Sequence, residues 1–307
     1  MTHVVHGLEA LEHAPSVVTI GNFDGVHRGH QVLLRRTVHL AADSGTRSVA
    51  VTFDPHPTAV LRPDAEPPRL QTLEDRIAAI GDAGVDLVVV LPFTRELAAW
   101  SPAEFVSQVL AGALEAVRVV VGTNFRFGHK AAGDVVTLLE LGEQHGYAPE
   151  AVTLLEIDGR RISSSAIREH LTDGDLAWVV RALGRPYLLH GEVVRGDGRG
   201  RGIGFPTANL EVDAGVAIPA TGVYAGHAEV AGRRLPAVTN VGVRPTFDGA
   251  TRTVEVHVLD LDQDLYGQRV GFTFEHRIRG ERRFDGVEAL VAQIGRDVAE
   301  SRRLLGA

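Results

Sequence analysis

Gly21-Asn22-Phe23-Asp24-Gly25-Val26-His27-Arg28-Gly29-His30 follows a short apolar run typical of a buried strand and precedes a segment whose apolar residues recur at helical spacing. The stretch is therefore predicted to be a strand-to-helix turn. Its glycines permit tight backbone turns, and the first turn of the helix offers free N–H groups to a phosphate. His27 and His30 fall on one side of that turn. We expect a phosphate site here; the alternative is two surface histidines, as at His3 and His6, which lack a preceding strand and an intervening glycine.

Length and composition indicate a protein with well-formed hydrophobic cores. The chain has 307 residues, of which 44% are hydrophobic, enough for one large or two ordinary domains. No apolar run approaches the ~20 residues of a membrane span, and the N-terminus shows no secretion signal. The absence of cysteine excludes disulfides and thiol catalysis. We expect a soluble, cytoplasmic protein without a membrane partner; the sequence predicts no particular oligomeric state.

The charges argue against nucleic acid as a partner. Lysine and arginine number 31 against 39 aspartates and glutamates, a formal net charge of −8. Broad nucleic-acid binding relies on an excess of positive charge. Lys130 is the single lysine of the sequence, so a Gly-Lys-[Ser/Thr] phosphate loop is excluded. Any phosphate must be bound by arginine, histidine, backbone amides or a metal ion.

The first half of the chain alternates strand-like and helix-like patterns, which predicts an α/β domain with a doubly wound parallel sheet. Strands are predicted at residues 17–20, 48–53, 86–91, 118–121 and 151–157. Helices are predicted at residues 28–42, 72–83, 102–114 and 134–145. In such sheets ligands bind beyond the carboxyl ends of the strands.

Three further loops with unusual residues follow predicted strands, at residues 52–57, 122–128 and 161–168. Each has an ordinary structural explanation: prolines that stiffen a loop, phenylalanines that join the core, serines that cap a helix. All of them fall at one edge of the predicted sheet, together with the glycine–histidine turn. One shared site therefore explains the four loops better than four separate coincidences.

The second half changes pattern, and we predict two domains, residues 1–184 and 185–307. Strand-like runs occur without intervening helices at residues 187–194, 223–230, 235–241, 253–259 and 270–278. They predict a closed antiparallel barrel. A terminal helix over residues 287–305 has an apolar side that could cover the barrel, made of Val287, Leu290, Val291, Ile294 and Val298.

The barrel domain carries its own candidate site. The loop at residues 195–204 contains three arginines and five glycines, which suits an anion held by backbone amides, although it could also be an ordinary hairpin loop. Thr207 and Asn209 alternate along an extended segment and offer oxygens to a cation such as Mg²⁺. Glu255 points away from its flanking valines; by itself it is a solvent-exposed acid, and beside these groups it becomes a candidate general base.

These motifs together closely resemble the bacterial bifunctional riboflavin kinase and FAD synthetase family over nearly the whole chain. Residues 23–30, 52–57, 124–128 and 162–168 match the adenylyltransferase module in order. Residues 204–210, 222–225, 240–247, 255–257 and 265–267 match the kinase module. Two departures are small: Ser165 stands where threonine is more usual, and Asn124 stands where aspartate is common.

The resemblance implies two reactions that use ATP and Mg²⁺. In the barrel, the 5′-hydroxyl of riboflavin attacks the γ-phosphate of ATP to give FMN, with Glu255 accepting the proton and Thr207 and Asn209 holding the metal. In the N-terminal domain, FMN attacks the α-phosphate of a second ATP to give FAD and pyrophosphate. The residues it implies as catalytic are His27, His30, Arg168 and Glu255. Those it implies as binding nucleotide or flavin are Gly21, Phe23, Asp24, Gly25, Phe53, Asp54, His56, Asn124, Arg126, Ser164, Ser165, Arg199, Gly202 and Gly204.

Two other functions remain open from the sequence. The N-terminal domain could transfer a nucleotide to another phosphorylated acceptor, with the barrel as a binding appendage. Alternatively, both domains could bind flavin and nucleotide without catalysis. The joint presence of Glu255, Thr207 and Asn209 counts against mere binding, which needs neither a base nor metal ligands.

Overall fold

The computed structural model describes residues 2–196, 199–246 and 249–307. Contacts divide the chain into two compact units. The first contains Met1–Pro67 and Thr72–Ser164, and the second contains Pro68–Gln71 and Ser165–Ala307. The domain boundary predicted between residues 184 and 185 stays a prediction.

The first unit is built on a six-stranded parallel sheet. Its strands are β1 His3–His6, β2 Ser16–Ile20, β3 Arg47–Asp54, β4 Leu87–Pro92, β5 Ala116–Gly122 and β6 Ala148–Val152. Its helices are α1 Arg28–Ser44, α2 Pro57–Leu61, α3 Leu73–Gly81, α4 Arg95–Ala99, α5 Pro102–Phe105, which continues as a π-helix over Val106–Ala113, and α6 Val135–His145. The strand order is β1-β4-β3-β2-β5-β6, and every pair is parallel.

Helices cover both faces of this sheet, as predicted. On one face, Leu34 of α1 and Ile80 of α3 pack against Ala50 and Val88 of the sheet. On the other face, residues of α5, the π-helix and α6 pack against alternate strand residues such as Val18. The doubly wound α/β architecture is therefore confirmed.

The last strand of the sheet is displaced from its predicted position. Residues 151–157 were predicted as one strand, whereas β6 spans Ala148–Val152 and pairs with β5 from Arg118 to Gly122. Two later residues form β7, Glu156–Ile157, which pairs with β8, Arg160–Arg161. Pro149 lies inside β6, and proline is tolerated there because β6 is an edge strand.

The second unit is a closed six-stranded antiparallel barrel preceded by two helices, α7 Ser164–Asp173 and α8 Leu176–Leu183. The remaining elements are β9 Tyr187–Val194, α9 Arg199–Gly202, β10 Ala208–Val212, β11 Gly222–Val230, β12 Arg233–Thr246, β13 Gly249–Val258, β14 Arg269–Arg279 and α10 Val287–Leu305. The barrel closes in the order β10-β13-β12-β11-β14-β9. The barrel is confirmed; the extended segment after Thr207 supplies the sixth strand.

The terminal helix α10 has the predicted bounds, and its buried side includes polar residues beside the predicted apolar ones. Val298 packs against the barrel, as predicted, and Leu290, Val291 and Ile294 are half-buried, whereas Val287 is 61% exposed. Gln293 and Asp297 are buried as well. Asp297 is paired with Arg279 of β14, whose Nε and Nη2 donate to its carboxylate at 2.7–3.1 Å. This ion pair joins the helix to the barrel.

No helix among the described residues is both long enough and apolar enough to cross a membrane.

Candidate active sites

The sheet of the first unit has a topological switch point between β2 and β5. From β2 the chain moves outward through β3 and β4, whereas β5 lies on the other side of β2 and leads to β6. Loops at such a point leave in opposite directions and open a crevice in which ligands bind. The glycine–histidine turn follows β2, and the loop at residues 122–128 follows β5. The loops after β2, β3 and β5 leave the same edge of the sheet, because these strands are parallel. The fourth predicted loop, at residues 161–168, follows β8 and not a strand of this sheet, so its place in a shared site stays a prediction.

The turn itself has a strained backbone. Phe23 has φ 49° and Val26 has φ 37°, in the left-handed region that side chains other than glycine rarely adopt. Each such residue costs about 1–3 kcal/mol, which the surrounding contacts must offset. The Val26 N–H donates to Phe23 O at 3.0 Å, and the Gln31 side chain donates to Val26 O at 2.9 Å. Gly25, with φ 83°, suits the same turn.

Two predicted ligand-binding side chains of this turn are part of the interior. Phe23 is fully buried and Asp24 is 3% exposed. A Cβ on Gly21 would lie 3.3 Å from the Phe23 ring, so the aromatic ring packs directly under the start of the turn. These residues shape the turn from below, and their predicted contacts with a ligand stay predictions.

His27 and His30 form a stacked pair at the start of α1. Their ring centroids are 3.6 Å apart and nearly parallel. His27 caps the helix, because its Nδ1 accepts a hydrogen bond from the His30 N–H at 3.3 Å. The neutral His27 ring therefore carries its proton on Nε2. Burial, together with the nearby His27, lowers the pKa of His30 well below its ordinary value.

His30 also has a buried nitrogen that no protein group within the described residues satisfies. Its Nδ1 is buried without a hydrogen-bond partner. A buried polar atom of this kind is costly unless a ligand or water completes it. At the N-terminus of a helix, a phosphate oxygen is a fitting partner. The geometry thus suits the predicted phosphate site.

The loop after β3 meets the glycine–histidine turn through Asn22 and His56. His56 caps α2, since its Nδ1 accepts from the Thr58 N–H at 3.2 Å. The neutral ring then has its proton on Nε2, which lies 3.3 Å from the Asn22 amide. This favours the amide orientation in which the Asn22 oxygen accepts from His56. Phe53 and Asp54, the other predicted flavin contacts, end β3 beside it.

In the loop after β5, Asn124 is exposed to solvent and Arg126 forms an ion pair with Asp134. Asn124 is exposed in the turn where the Phe125 N–H donates to Gly122 O at 2.9 Å. Arg126 donates to Asp134 at 3.0 Å, and that pair is largely exposed. Hydrogen bonds from the Thr137 backbone, with Arg126 nearby, lower the pKa of Asp134. The predicted nucleotide contacts of Asn124 and Arg126 stay predictions.

Ser164, at the start of α7, contacts the turn directly. The Ser164 hydroxyl donates to Asp24 O at 2.8 Å. Ser165 and Arg168 belong to the second unit. There Arg168 Nε donates to Pro68 O at 2.6 Å. The predicted catalytic role of Arg168 stays a prediction.

Three neighbouring strands of the barrel bring polar side chains into one row. Asn209 of β10 and Asn240 of β12 are each paired directly with Glu255 of β13. Residues paired in this way point to the same side of the sheet. Val254 and Val256 are 1% exposed, so they face the barrel interior and Glu255 faces outward, as the alternation predicts. The carboxylate therefore has an amide side chain on either flank.

Gly196 and Gly200 of the 195–204 loop lie close to side chains of this site. A Cβ on Gly196 would lie 2.5 Å from Cγ of Asn209. A Cβ on Gly200 would overlap the carbonyl oxygen of Phe205 and lie 3.3 Å from Thr207 Oγ1. Only glycine fits these two positions without displacing the site residues.

The structure describes some of the other predicted residues of this loop and leaves out others. Gly202 and Gly204 have open space around them, and Gly204 has φ 88°. The predicted Arg199 has its side chain outside the described part of the structure. Asp197 and Gly198 lie wholly outside the described residues.

Sequence reasoning missed the role of His257 in this unit. Its Nδ1 lies 2.7 Å from Pro206 O, and its ring meets Phe205 edge to face at 5.7 Å. The carbonyl accepts, so Nδ1 carries the proton. His257 thus fixes the segment that leads into Thr207. Its place two residues from Glu255, on the same side of β13, was the available signal.

The donor set of the barrel site fits Mg²⁺. This ion prefers oxygen ligands and usually takes one or two protein groups together with substrate phosphates and water. Asn209 and Glu255 offer such oxygens side by side, and Thr207 directly precedes β10. Within residues 2–196, 199–246 and 249–307, no cluster of three or more His, Cys, Asp or Glu side chains has a metal-binding arrangement. These side chains therefore suit a Mg²⁺ ion that the phosphates of a substrate also bind.

The chain thus combines a nucleotidyltransferase-type α/β unit with a barrel unit that carries a candidate base. Residues 9–166 match the family model described as FAD synthetase, and residues 183–305 match that described as riboflavin kinase. The bifunctional riboflavin kinase/FMN adenylyltransferase of Pseudomonas fluorescens is 40% identical over 98% of this chain and 97% of its own. The Escherichia coli K12 protein of the same description is 38% identical over 99% and 98%.

A solved structure is also similar over nearly the full length. It is a Streptococcus pneumoniae protein described as a macrolide-efflux protein, with a TM-score of 0.89, 30% identity and 98% coverage of both chains. Two family models match in order along one chain, and relatives are similar over nearly their full length. Together these matches identify the family. The chain belongs to the family of bifunctional riboflavin kinase/FMN adenylyltransferases.

Proposed function

We propose that this chain phosphorylates riboflavin to FMN in its barrel unit and then adenylylates FMN to FAD in its α/β unit, with ATP as the donor in both steps. The observation that carries the first step is the row of Asn209, Glu255 and Asn240 across three strands. The second step is supported by the stacked His27–His30 pair at the switch point of the parallel sheet.

In the kinase step, the barrel supplies a base and a surface for phosphate. Glu255 accepts the proton of the ribityl 5′-hydroxyl as its oxygen attacks the γ-phosphate, which gives FMN and ADP. Thr207 and Asn209 would hold Mg²⁺, which neutralises charge on the phosphates when it is bound. The loop at residues 195–204 covers the nucleotide and excludes water, and its small glycines leave room at Asn209 and Thr207.

In the adenylylation step, the nucleophile is the phosphate of FMN, which is already ionised and needs no strong base. The protein must instead orient two phosphates in line and stabilise the charge that develops between them. His30 is neutral near pH 7, because burial lowers its pKa, so it acts as a hydrogen-bonding group. His27 caps α1 through its Nδ1, and the N–H groups at the start of α1 suit a phosphate.

The direct test is to incubate the purified wild-type chain with riboflavin, ATP and Mg²⁺ and to separate the flavins by chromatography. We expect FMN to accumulate first and FAD to follow, with one ADP and one pyrophosphate released for each FAD formed. Omission of Mg²⁺ should stop both conversions. Pyrophosphate release from another phosphorylated acceptor, without phosphorylation of riboflavin, would instead support a nucleotidyltransferase of different specificity. We place both reactions in the cytoplasm, where ATP is available.

A further inference from the structure

Arg76 of α3 is a buried cation in the first unit. It is 6% exposed, although arginine is rarely buried unless it is paired. The same helix buries Ile80 in the apolar cluster beneath the sheet. A guanidinium in such a place requires compensating contacts, so its partners indicate what it does.

The guanidinium of Arg76 joins the two loops that form the adenylylation site. Its Nη1 donates to the backbone oxygen of Asn22 at 3.0 Å, and its Nη2 donates to that of Phe53 at 3.0 Å. Nη2 also lies 3.5 Å from the carboxylate of Asp54. Asn22 lies in the turn after β2 and Phe53 ends β3, and these strands are neighbours. One side chain therefore holds both loops.

The contact with Asn22 fixes the entrance to the strained turn. Asn22 directly precedes Phe23, which has φ 49°, and its carbonyl also accepts from the Thr52 hydroxyl at 3.2 Å. The direction of this carbonyl determines how the chain enters the turn that ends at His27. A lysine could supply the charge, but not two donors in one plane at a fixed spacing.

We propose that Arg76 is a positioning residue for adenylyl transfer: it holds the glycine–histidine turn and the loop after β3 in register so that the stacked histidines meet the phosphates. This inference rests on the proposed FMN adenylyltransferase activity. Arg76 does not contact the reacting atoms in this role. It sets the position of groups that do, and a displacement of about 1 Å in such groups costs on the order of 10²-fold in rate.

The test compares Arg76→Met and Arg76→Lys in the full chain. Both half-reactions are measured on the same preparations, so that riboflavin kinase activity reports whether the chain is folded. We expect the FMN adenylyltransferase kcat to fall about 10²-fold in both variants, while KM for ATP changes less than about threefold. Kinase activity should stay within about twofold of wild type.

Arg36→Met is the matched control. Arg36 belongs to the same unit and forms a two-point ion pair, at 2.6 and 3.0 Å, with Glu150 of the edge strand β6. This variant should keep the wild-type adenylyltransferase kcat. Thermal unfolding of all variants separates loss of stability from loss of rate.

Three results would overturn the inference. One is an adenylyltransferase kcat within threefold of wild type in Arg76→Met. Another is an equal loss of kcat in Arg36→Met, which would show a general effect of damaging the unit. If Arg76→Met does not fold, Arg76→Lys decides, and wild-type kcat in that variant overturns the inference. Absence of FAD from the wild-type chain would instead refute the proposed function, and the inference with it.

Discussion

Replacement of Gly196 by alanine should disable the kinase step alone. The new Cβ would lie 2.5 Å from Cγ and 2.7 Å from Oδ1 of Asn209, whereas carbon atoms normally pack at about 3.5–4.0 Å. Asn209 or the glycine-rich loop must therefore move by about 1 Å. Asn209 is short and sits in β10, so it has little freedom to turn aside.

The magnitude follows from the cost of misplacing a positioning group. A shift of about 1 Å lowers the rate on the order of 10²-fold, which corresponds to about 2.7 kcal/mol of transition-state stabilisation. The assay is steady-state phosphorylation of riboflavin at varied ATP. Adenylylation of FMN by the same protein should be unchanged, because it depends on the other unit.

Gly295→Ala is the matched control in the same unit. Nothing lies within 4 Å of a Cβ at that position, and Gly295 belongs to the terminal helix α10, which contributes none of the predicted site residues. Its kinase kcat/KM should equal that of wild type. If Gly196→Ala also keeps kcat/KM within threefold of wild type, the loop does not cover Asn209 as described, and the reasoning fails.

Two further predictions concern stability. Because the pKa of His30 is lowered in the folded state, the unfolded chain takes up a proton below about pH 6.5 that the folded chain does not, so stability falls as pH decreases. His30→Asn should reduce the difference between urea midpoints at pH 5.5 and pH 8; an unchanged difference would contradict this. Asp297→Ala should cost about 3–5 kcal/mol, because it leaves Arg279 without its buried partner. Glu300→Ala breaks the more exposed pair with Arg303 and should shift the urea midpoint much less. Equal losses in the two variants would refute the contrast.

Hydrophobic periodicity correctly predicted the elements whose burial follows a simple pattern. The strand over Tyr187–Val194 and the helix over Val287–Leu305 have the predicted bounds, because apolar residues recur through each of them and turn residues flank them. The glycine–histidine turn was also found, since its glycines and its place between strand and helix are local features. The edge strand β6 was misplaced because its pairing with β5, and not its own composition, decides where it lies.

Local sequence patterns could not predict features that depend on contacts between residues far apart in the sequence. The row of Asn209, Glu255 and Asn240 requires the register of three strands, whereas the local alternation predicted only the outward direction of Glu255. The burial of Asp297 in α10 depends on its ion pair with Arg279, which is far away in the sequence. Arg76 was not identified from the sequence, because two of its partners are backbone carbonyls that no side-chain pattern specifies.

Two separate sites should perform the two reactions. The decisive measurement is of both half-reactions in Glu255→Ala and in the double variant His27→Ala/His30→Ala, each checked for folding by circular dichroism. We expect Glu255→Ala to convert FMN to FAD but not to phosphorylate riboflavin, and the double variant to do the reverse. Loss of both activities in either folded variant would show that the two reactions do not depend on separate sites.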